Sequence, residues 1–481
     1  MSSNPSTMPD AGPATAPPQE NKPGAAMRRR SFLARLALDV LGRWGARIGL
    51  AWIGLLILFA VFAPFLASSH PLLWSYQGEV SSPMIEQLGV VDVILLIAFF
   101  AAAVLAPVRR LAGGTRLAAW AWLVVWSAPF VAHERIWDWL KSPAAAVENV
   151  QSAMGWGLLA LGLLAALAVV IAIPALFRRH KWLWVSMGVA AVVLGGLLTR
   201  FPVGQDETIV YSKYREALAA DEAEWAVQPL IPYSPGDRQR DAVRLEGRDA
   251  RLLAPSTQHW MGTTSTGADV ASRMIHASRI ALAIGLIATG ISVAIGILVG
   301  GIMGYFAGWV DLLGMRLVEI FAAIPVIFLL IMIVAFYGRS LYLMMVIIGL
   351  TGWVGYALYI RAEFLKLRSM DYVDAARALG LPLHSILFKH MLPNGVTPVL
   401  VLMSFGIASA ILTESTLSFL GLGLVEEPSW GQMLNEARQA TGQWGLIVFP
   451  GLAIFLTVFA YNLVGEALRD ALDPRAVSAG T

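Results

Sequence analysis

Apolar residues in this chain gather in long unbroken runs, not in the alternating or 3.6-residue patterns of a water-soluble core. The runs cover about 48–66, 90–108, 117–132, 155–177 and 182–199. After a polar stretch at 201–277, they resume at about 278–306, 317–336, 342–360, 396–420 and 445–464. A helix needs ~20 residues to cross the hydrocarbon layer. The pattern therefore predicts an all-α, polytopic membrane protein with about ten transmembrane helices, the run at 117–132 being the shortest. Residues 1–30 are rich in Pro, Ala and Ser without apolar period and read as a disordered tail. Arg28, Arg29 and Arg30 imitate a twin-arginine export signal, but Arg35, Asp39, Arg43 and Arg47 interrupt what should be an uncharged core. The segment 31–70 is read instead as a basic surface helix followed by the first span.

Composition agrees with the runs. Of 481 residues, 57% are hydrophobic and only 14% charged, where soluble domains carry about 25% charged residues. Mean hydropathy is +0.66, which excludes a soluble enzyme, a secreted disulfide scaffold and a disordered regulator. The net charge of +3 is spread among loops beside the membrane rather than gathered on a stripe, so no nucleic-acid partner is expected. Without cysteine there is no thiolate nucleophile and no paired-Cys metal site. Basic residues fall in alternate loops: Arg28–Arg47, Arg109/Arg110/Arg116, Arg178/Arg179/Lys181 and Arg361/Lys366/Arg368. The positive-inside rule puts these loops, and both termini, in the cytoplasm and 201–277 outside. Trp120, Trp122, Trp126, Trp137, Trp139, Trp156, Trp182 and Trp184 cluster in or beside the second to fifth spans. They are read as interfacial anchors.

Several residues stand out within the spans. Gly296, Gly300, Gly304 and Gly308 recur every fourth position, which predicts one helix face that a neighbouring backbone can approach, whether sliding or static. Pro325 should kink the seventh span, and Glu319 before it is expected to reach headgroups or water. Glu414 lies in the ninth span with Ser415 and Ser418. A carboxylate there should face protein or a water-filled path. Glu414, Ser415 and Ser418 are therefore candidates for a translocation path, with a helix–helix hydrogen bond as the equal alternative.

The loop between the eighth and ninth spans carries most information. Asp371 or Asp374 can cap or charge-complement a helix start, Ala375, Ala376 and Ala378 favour helix, and Gly380 and Pro382 stop it. A short helix with Tyr372, Ala376 and Leu379 along one side suits either a groove in another protein or a membrane surface.

Here the sequence resembles a family. Asp374, Ala375, Ala376, Gly380, His390, Leu392 and Pro393 match the EAA loop of ABC importer permeases. Asp374 stands where Glu is usual, and His390 is typical of the dipeptide/oligopeptide/nickel branch. Collinear matches are 315–319 with Ile324-Pro325, 417–423 with Pro428-Ser429-Trp430-Gly431, and 462–474. Upstream, 231–235 and 259–263 also resemble that branch, although Ala268-Asp269-Val270 lacks its Arg. The resemblance covers 28–70 and about 229–475. It implies a six-span permease core made of the first span and the last five. Residues 71–200 are then an inserted four-helix membrane module, 201–277 an extracytoplasmic segment, 278–470 the permease domain and 471–481 a cytoplasmic tail. The loop 361–394 would hold the coupling helix, with Tyr372, Asp374, Ala375, Ala376, Arg377, Leu379, Gly380, His390, Leu392 and Pro393 docking on an ATPase.

The partners implied are a second homologous permease subunit, two ATP-binding ATPase subunits, an extracytoplasmic substrate-binding protein and the lipid bilayer, in a bacterial inner membrane. No Gly-Lys dipeptide exists to build a phosphate-cradling loop, and no catalytic, cofactor or metal motif is present. The expected function is a non-catalytic permease subunit importing peptides or similar small solutes. The alternatives are an importer for nickel complexes or opines, or an intramembrane enzyme using Glu414 with Ser415 or Ser418.

Overall fold

The computed structural model describes residues 32–76, 78–106, 113–131, 210–424, 427–438, 440 and 442–472. The expected spans at 155–177 and 182–199, the tail 1–30 and most of the tail 471–481 lie outside these. Helices dominate. They are α1 (Phe32–Gly42), α2 (Trp44–Leu66), α3 (Val90–Leu105), α4 (Gly113–Val131), α5 (Val270–Phe306), α6 (Gly308–Ala322), α7 (Val326–Tyr337), α8 (Leu341–Leu367), α9 (Asp371–Ala378), α10 (Thr397–Phe419), α11 (Trp430–Ala437) and α12 (Gly445–Leu472). Among the described residues, α2, α5, α8, α10 and α12 are long and apolar enough to cross a membrane. The pair α6/α7 makes a sixth span if taken together, and α3 is a shorter apolar helix.

Pro325 does more than kink the seventh span. The two halves meet at 70°, and Pro325 caps the start of α7. Proline lacks the N–H that would continue the ladder and disfavours helical geometry at Ile324. The expected continuous helix is therefore broken. Glu319 sits on the exposed side of α6, paired with Arg316 at 2.5 Å.

Helix α5 has 37 residues, a length of about 55 Å against a hydrocarbon layer of ~30 Å. Its first two turns therefore extend beyond the expected span. Asp269 caps them, accepting from the Ser272 backbone N–H at 2.8 Å. The buried His259 Nδ1 lies 2.8 Å from the same carboxylate.

A small antiparallel sheet has the order β2-β1-β3, with β1 Leu73–Tyr76, β2 Glu79–Ser81 and β3 Ala223–Val227. Beside it the Ser68 N–H donates to the Ile231 carbonyl at 3.1 Å, and the Ile231 N–H to the Leu66 carbonyl at 2.9 Å. The chain thus leaves the end of α2 and returns to that same place.

Helix α3 packs on α2, with the Phe62 and Phe99 rings edge to face at 5.2 Å. Asp92 near its start forms an ion pair with Arg279 of α5, whose Nε donates to the Ala60 carbonyl. Trp120 of α4 donates its indole N–H to the Ala98 carbonyl at 2.7 Å, and Trp122 is buried. These two indoles thus serve helix packing as well as any interfacial role.

The tightest helix pair is α5 with α8. A Cβ added at Gly296 would collide with the Tyr356 side chain, at Gly300 with the Ala357 carbonyl, and at Gly304 with the Arg361 carbonyl at 2.6 Å. Gly308 parts company with them. It lies beyond the end of α5 with φ +55° and open space around it. It permits the turn into α6 rather than the helix contact.

Candidate functional site

Two regions separate clearly: a loop packed beneath the spans, and a cavity among them. In the loop, α9 starts after Met370, with no side-chain cap. Asp371 and Asp374 occupy its first turn as charge complements to the helix dipole. Gly380 adopts φ +70°, and the Leu381 N–H closes back on the Ala376 carbonyl at 3.2 Å. This left-handed ending is what glycine permits.

The burial of α9 corrects one expectation. Ala376 does not share the outward face with Tyr372 and Leu379. It packs inward with Val373 against Ile360, Phe364, Leu367, Ile386, Met391 and Val399. The reason is angular: the buried stripe of so short a helix is set by where the chain's own core lies. Ala375 and Asp374 are exposed. Arg377 pairs with Asp374 at 3.0 Å and lies 5.0 Å over the Tyr305 ring at the end of α5. Two further residues join the outer surface without having been singled out in the sequence, Leu383 and Phe388, which are exposed like Leu379. No signal in the sequence marked them, because the loop also carries Leu381, Ile386, Leu387 and Met391, which turn inward or are partly buried. A π-type turn at Ile386–Met391 carries His390, whose carbonyl accepts from the Asn394 side chain at 2.8 Å. Leu392 packs on the buried cluster beneath, and Pro393 is exposed.

The cavity has a volume of 530 Å³ and lies among α5, α7, α8 and α10. Hydroxyls give it its character: Thr289, Ser292, Thr351, Tyr356, Ser409 and Thr413 line it. No ionisable acid or base other than tyrosine contributes. Ser292 donates to the Gly349 carbonyl at 2.9 Å, while Thr289 Oγ1 is buried without a hydrogen-bond partner. Thr351, Tyr356 and Thr413 likewise donate to main-chain carbonyls, so the wall offers hydroxyl oxygens as acceptors among apolar side chains such as Val326, Ile348 and Phe405, and no fixed charge. Nothing in the sequence distinguished these residues, because Ser and Thr scattered in apolar helices carry no spacing signature.

Glu414, Ser415 and Ser418 do not line this cavity. Ser418 Oγ donates to the buried Glu414 carboxylate at 2.6 Å and Ser415 at 3.4 Å. Ser429 also hydrogen-bonds it while capping α11 through the Gln432 N–H at 3.1 Å. Gly431 lies so close to the Ser415 backbone that no side chain would fit. The cluster fastens α11 to the end of α10. Among the described residues no group of three metal-ligating side chains occurs.

Outside the spans, Arg215 holds two carboxylates. It reaches Asp237 at 2.6 Å and Asp241 through two bonds of 2.8 Å. Burial alone would raise the Asp241 carboxyl, yet Arg215 brings it below its ordinary value.

Residues 296–478 match the family described as "Binding-protein-dependent transport system inner membrane component". That range includes the loop and most of the helices around the cavity. The chain is 39% identical over 256 residues to the glutathione transport system permease protein GsiD of Pectobacterium atrosepticum, covering 53% of this chain and 82% of that one. It is 37% identical over 227 residues to the dipeptide transport system permease protein DppC of Bacillus subtilis, covering 46% and 71%. It is 39% identical over 221 residues to the oligopeptide transport system permease protein OppC of Haemophilus influenzae, covering 45% and 70%. With its spanning helices and its inward-anchored loop, the chain belongs to the binding-protein-dependent transport system inner membrane components and is the permease subunit of an importer.

Proposed function

We propose that this subunit imports peptides or peptide-like small solutes, passing them through the hydroxyl-lined cavity while partner ATPases supply the energy. The observation that carries the reading is the loop at 371–392. Its inner face is built into the core of α8 and α10, and its outer face presents Tyr372, Leu379, Leu383 and Phe388. An exposed apolar patch anchored so firmly suits docking on another protein. For the loop to transmit work, the docked ATPase must favour its two positions unequally in its two nucleotide states. Relatives named for dipeptides, oligopeptides and glutathione support a peptide-like cargo. Nickel complexes and opines are the neighbouring cargo classes.

In this reading two ATPase subunits hydrolyse ATP, a second permease chain completes the path, and an extracytoplasmic binding protein delivers the solute. Both termini and the 361–394 loop are cytoplasmic, and residues 71–200 are a membrane module inserted into the core. The closed return from Leu66 to Ile231 favours that insertion, since an excursion with adjacent ends leaves the remaining topology unchanged.

Co-purification tests the docking role. Leu379→Asp and Phe388→Asp should abolish ATPase association while the chain stays folded. Retained association in both variants would sink the proposal. An intramembrane enzyme has less support, because Glu414 is held by serines and by no base.

A further inference from the structure

Three arginines from the docking side of the molecule reach back to one place, the joint between α5 and α6. Arg377 of α9 lies over the Tyr305 ring at 5.0 Å, with its Nε 3.4 Å from the Tyr305 hydroxyl. Arg368, at the end of α8, donates from Nη1 to the Tyr305 main-chain carbonyl at 3.5 Å. That carbonyl is among the last of α5, which have no partner within the helix. Arg361 of α8 grips Asp311 in the first turn of α6 with two arms of its guanidinium, Nη2 meeting Oδ2 at 2.7 Å.

Between these contacts the backbone is strained. Ala307 sits at φ +52° and ψ −158°, a region open to glycine and closed to nearly every other residue, and Gly308 follows at φ +55°. Strain of this kind persists only where the surroundings over-determine it, as the three arginine contacts do here. The two sides of the joint differ in firmness. Gly300 and Gly304 hold α5 against the main chain of α8 without slack. Helix α6 is lightly seated: Val318 is the one buried residue of its 15. Beyond it the chain turns 70° into α7. Hydrogen bonds close that corner, from the Ile324 N–H to the Phe321 carbonyl and from the Leu329 N–H to the Pro325 carbonyl, both at 3.2 Å. Val326, the first residue of α7, lines the hydroxyl-bearing cavity.

We propose, building on the docking reading, that Tyr305 and Asp311 are positioning residues for transport. They convey movement of the docking loop to α6, which turns about Ala307–Gly308 and shifts Val326 in the cavity wall. The joint is where a firmly packed body passes into a loosely packed one, so displacement there sacrifices little burial. Arg377 on this account works inward, on Tyr305, rather than as a contact for the ATPase.

The test uses the assembled transporter in nanodiscs and a single cysteine, Val326→Cys, in a chain that has no other. Its rate of labelling by N-ethylmaleimide should change about fivefold or more between the nucleotide-free state and the state trapped with ADP and vanadate, as a shift between two positions requires. Tyr305→Leu and Asp311→Asn should abolish that change while the ATPase subunits still co-purify. Tyr305→Phe, which keeps a ring for Arg377 to lie on, should preserve it. A role in packing alone would be served by leucine as well. An unchanged response in Tyr305→Leu and Asp311→Asn would overturn the joint, as would a parent chain whose Val326→Cys does not respond to trapping. Loss of ATPase association in Tyr305→Leu would assign Tyr305 to docking and overturn it too. The docking reading fails separately, by the absence of ATPase subunits from the parent preparation before any cysteine is labelled.

Discussion

Gly300 of α5 lies directly against the backbone carbonyl of Ala357 in α8, with no space for a methyl group between them. The contact is flanked one turn on either side by Gly296 against Tyr356 and Gly304 against Arg361. Two long helices are thereby brought to backbone distance along the wall of the hydroxyl-lined cavity.

Substitution at Gly300 should be costly because the opposing atom is main chain and cannot rotate away. Gly300→Ala is expected to destabilise by about 1–3 kcal/mol, the range for overpacking. Gly290, on the same helix with open space beside it, supplies the contrast. There Gly290→Ala should be neutral or stabilise by up to ~1 kcal/mol. Thermal unfolding in detergent reads both.

Asp92 and Arg279 join α3 to α5 where both side chains are largely buried, at 14% and 17% exposed. Removing one partner leaves a charge with poor solvation. Asp92→Ala should destabilise more than the double variant Asp92→Ala/Arg279→Met, with a coupling of about 0.5–3 kcal/mol. Additive effects in a thermal-shift cycle would mean that the pair does not tie the two helices.

The Arg215 cluster makes stability depend on pH. Asp241 has its folded-state carboxyl below the ordinary value of 3.8. Its contribution is thus fully present above that value and is lost as pH falls through the lower folded one. Asp241→Asn should lower the melting temperature at pH 7, and the gap to the parent should narrow once pH drops below about 4. A gap unchanged down to pH 3 would contradict the assignment.

Ser409 faces the first cavity from α10 and is exposed, so a large residue can enter there without displacing the core. Ser409→Trp should cut solute uptake about tenfold or more while ATPase association persists. Uptake assays in proteoliposomes, paired with co-purification, separate a blocked path from a failed assembly.

Single cysteines at Val80 and Trp225, on β2 and β3, should be labelled by an impermeant thiol reagent from one side of the membrane. A cysteine at Leu379 should be labelled from the other. Labelling of Val80 and Trp225 from opposite sides is incompatible with a shared sheet.

Sequence by itself determined which segments are apolar enough for lipid, where the short helix of the 371–380 loop begins and ends, and that Gly296, Gly300 and Gly304 share a face. These are local properties, set by runs of side chains, by Gly380 and Pro382, and by helical periodicity. Only the tertiary structure decided that Ala376 turns inward, that Pro325 breaks its span outright, and that Glu414 bonds serines beside α11 and stays outside the first cavity. It alone gathered Thr289, Thr351 and Ser409 into one cavity, and Arg361, Arg368 and Arg377 at the joint between α5 and α6. The physical reason is that a helix apolar on every side carries no periodic signal of its buried face. Which face meets protein, cavity or lipid depends on where distant helices come to rest.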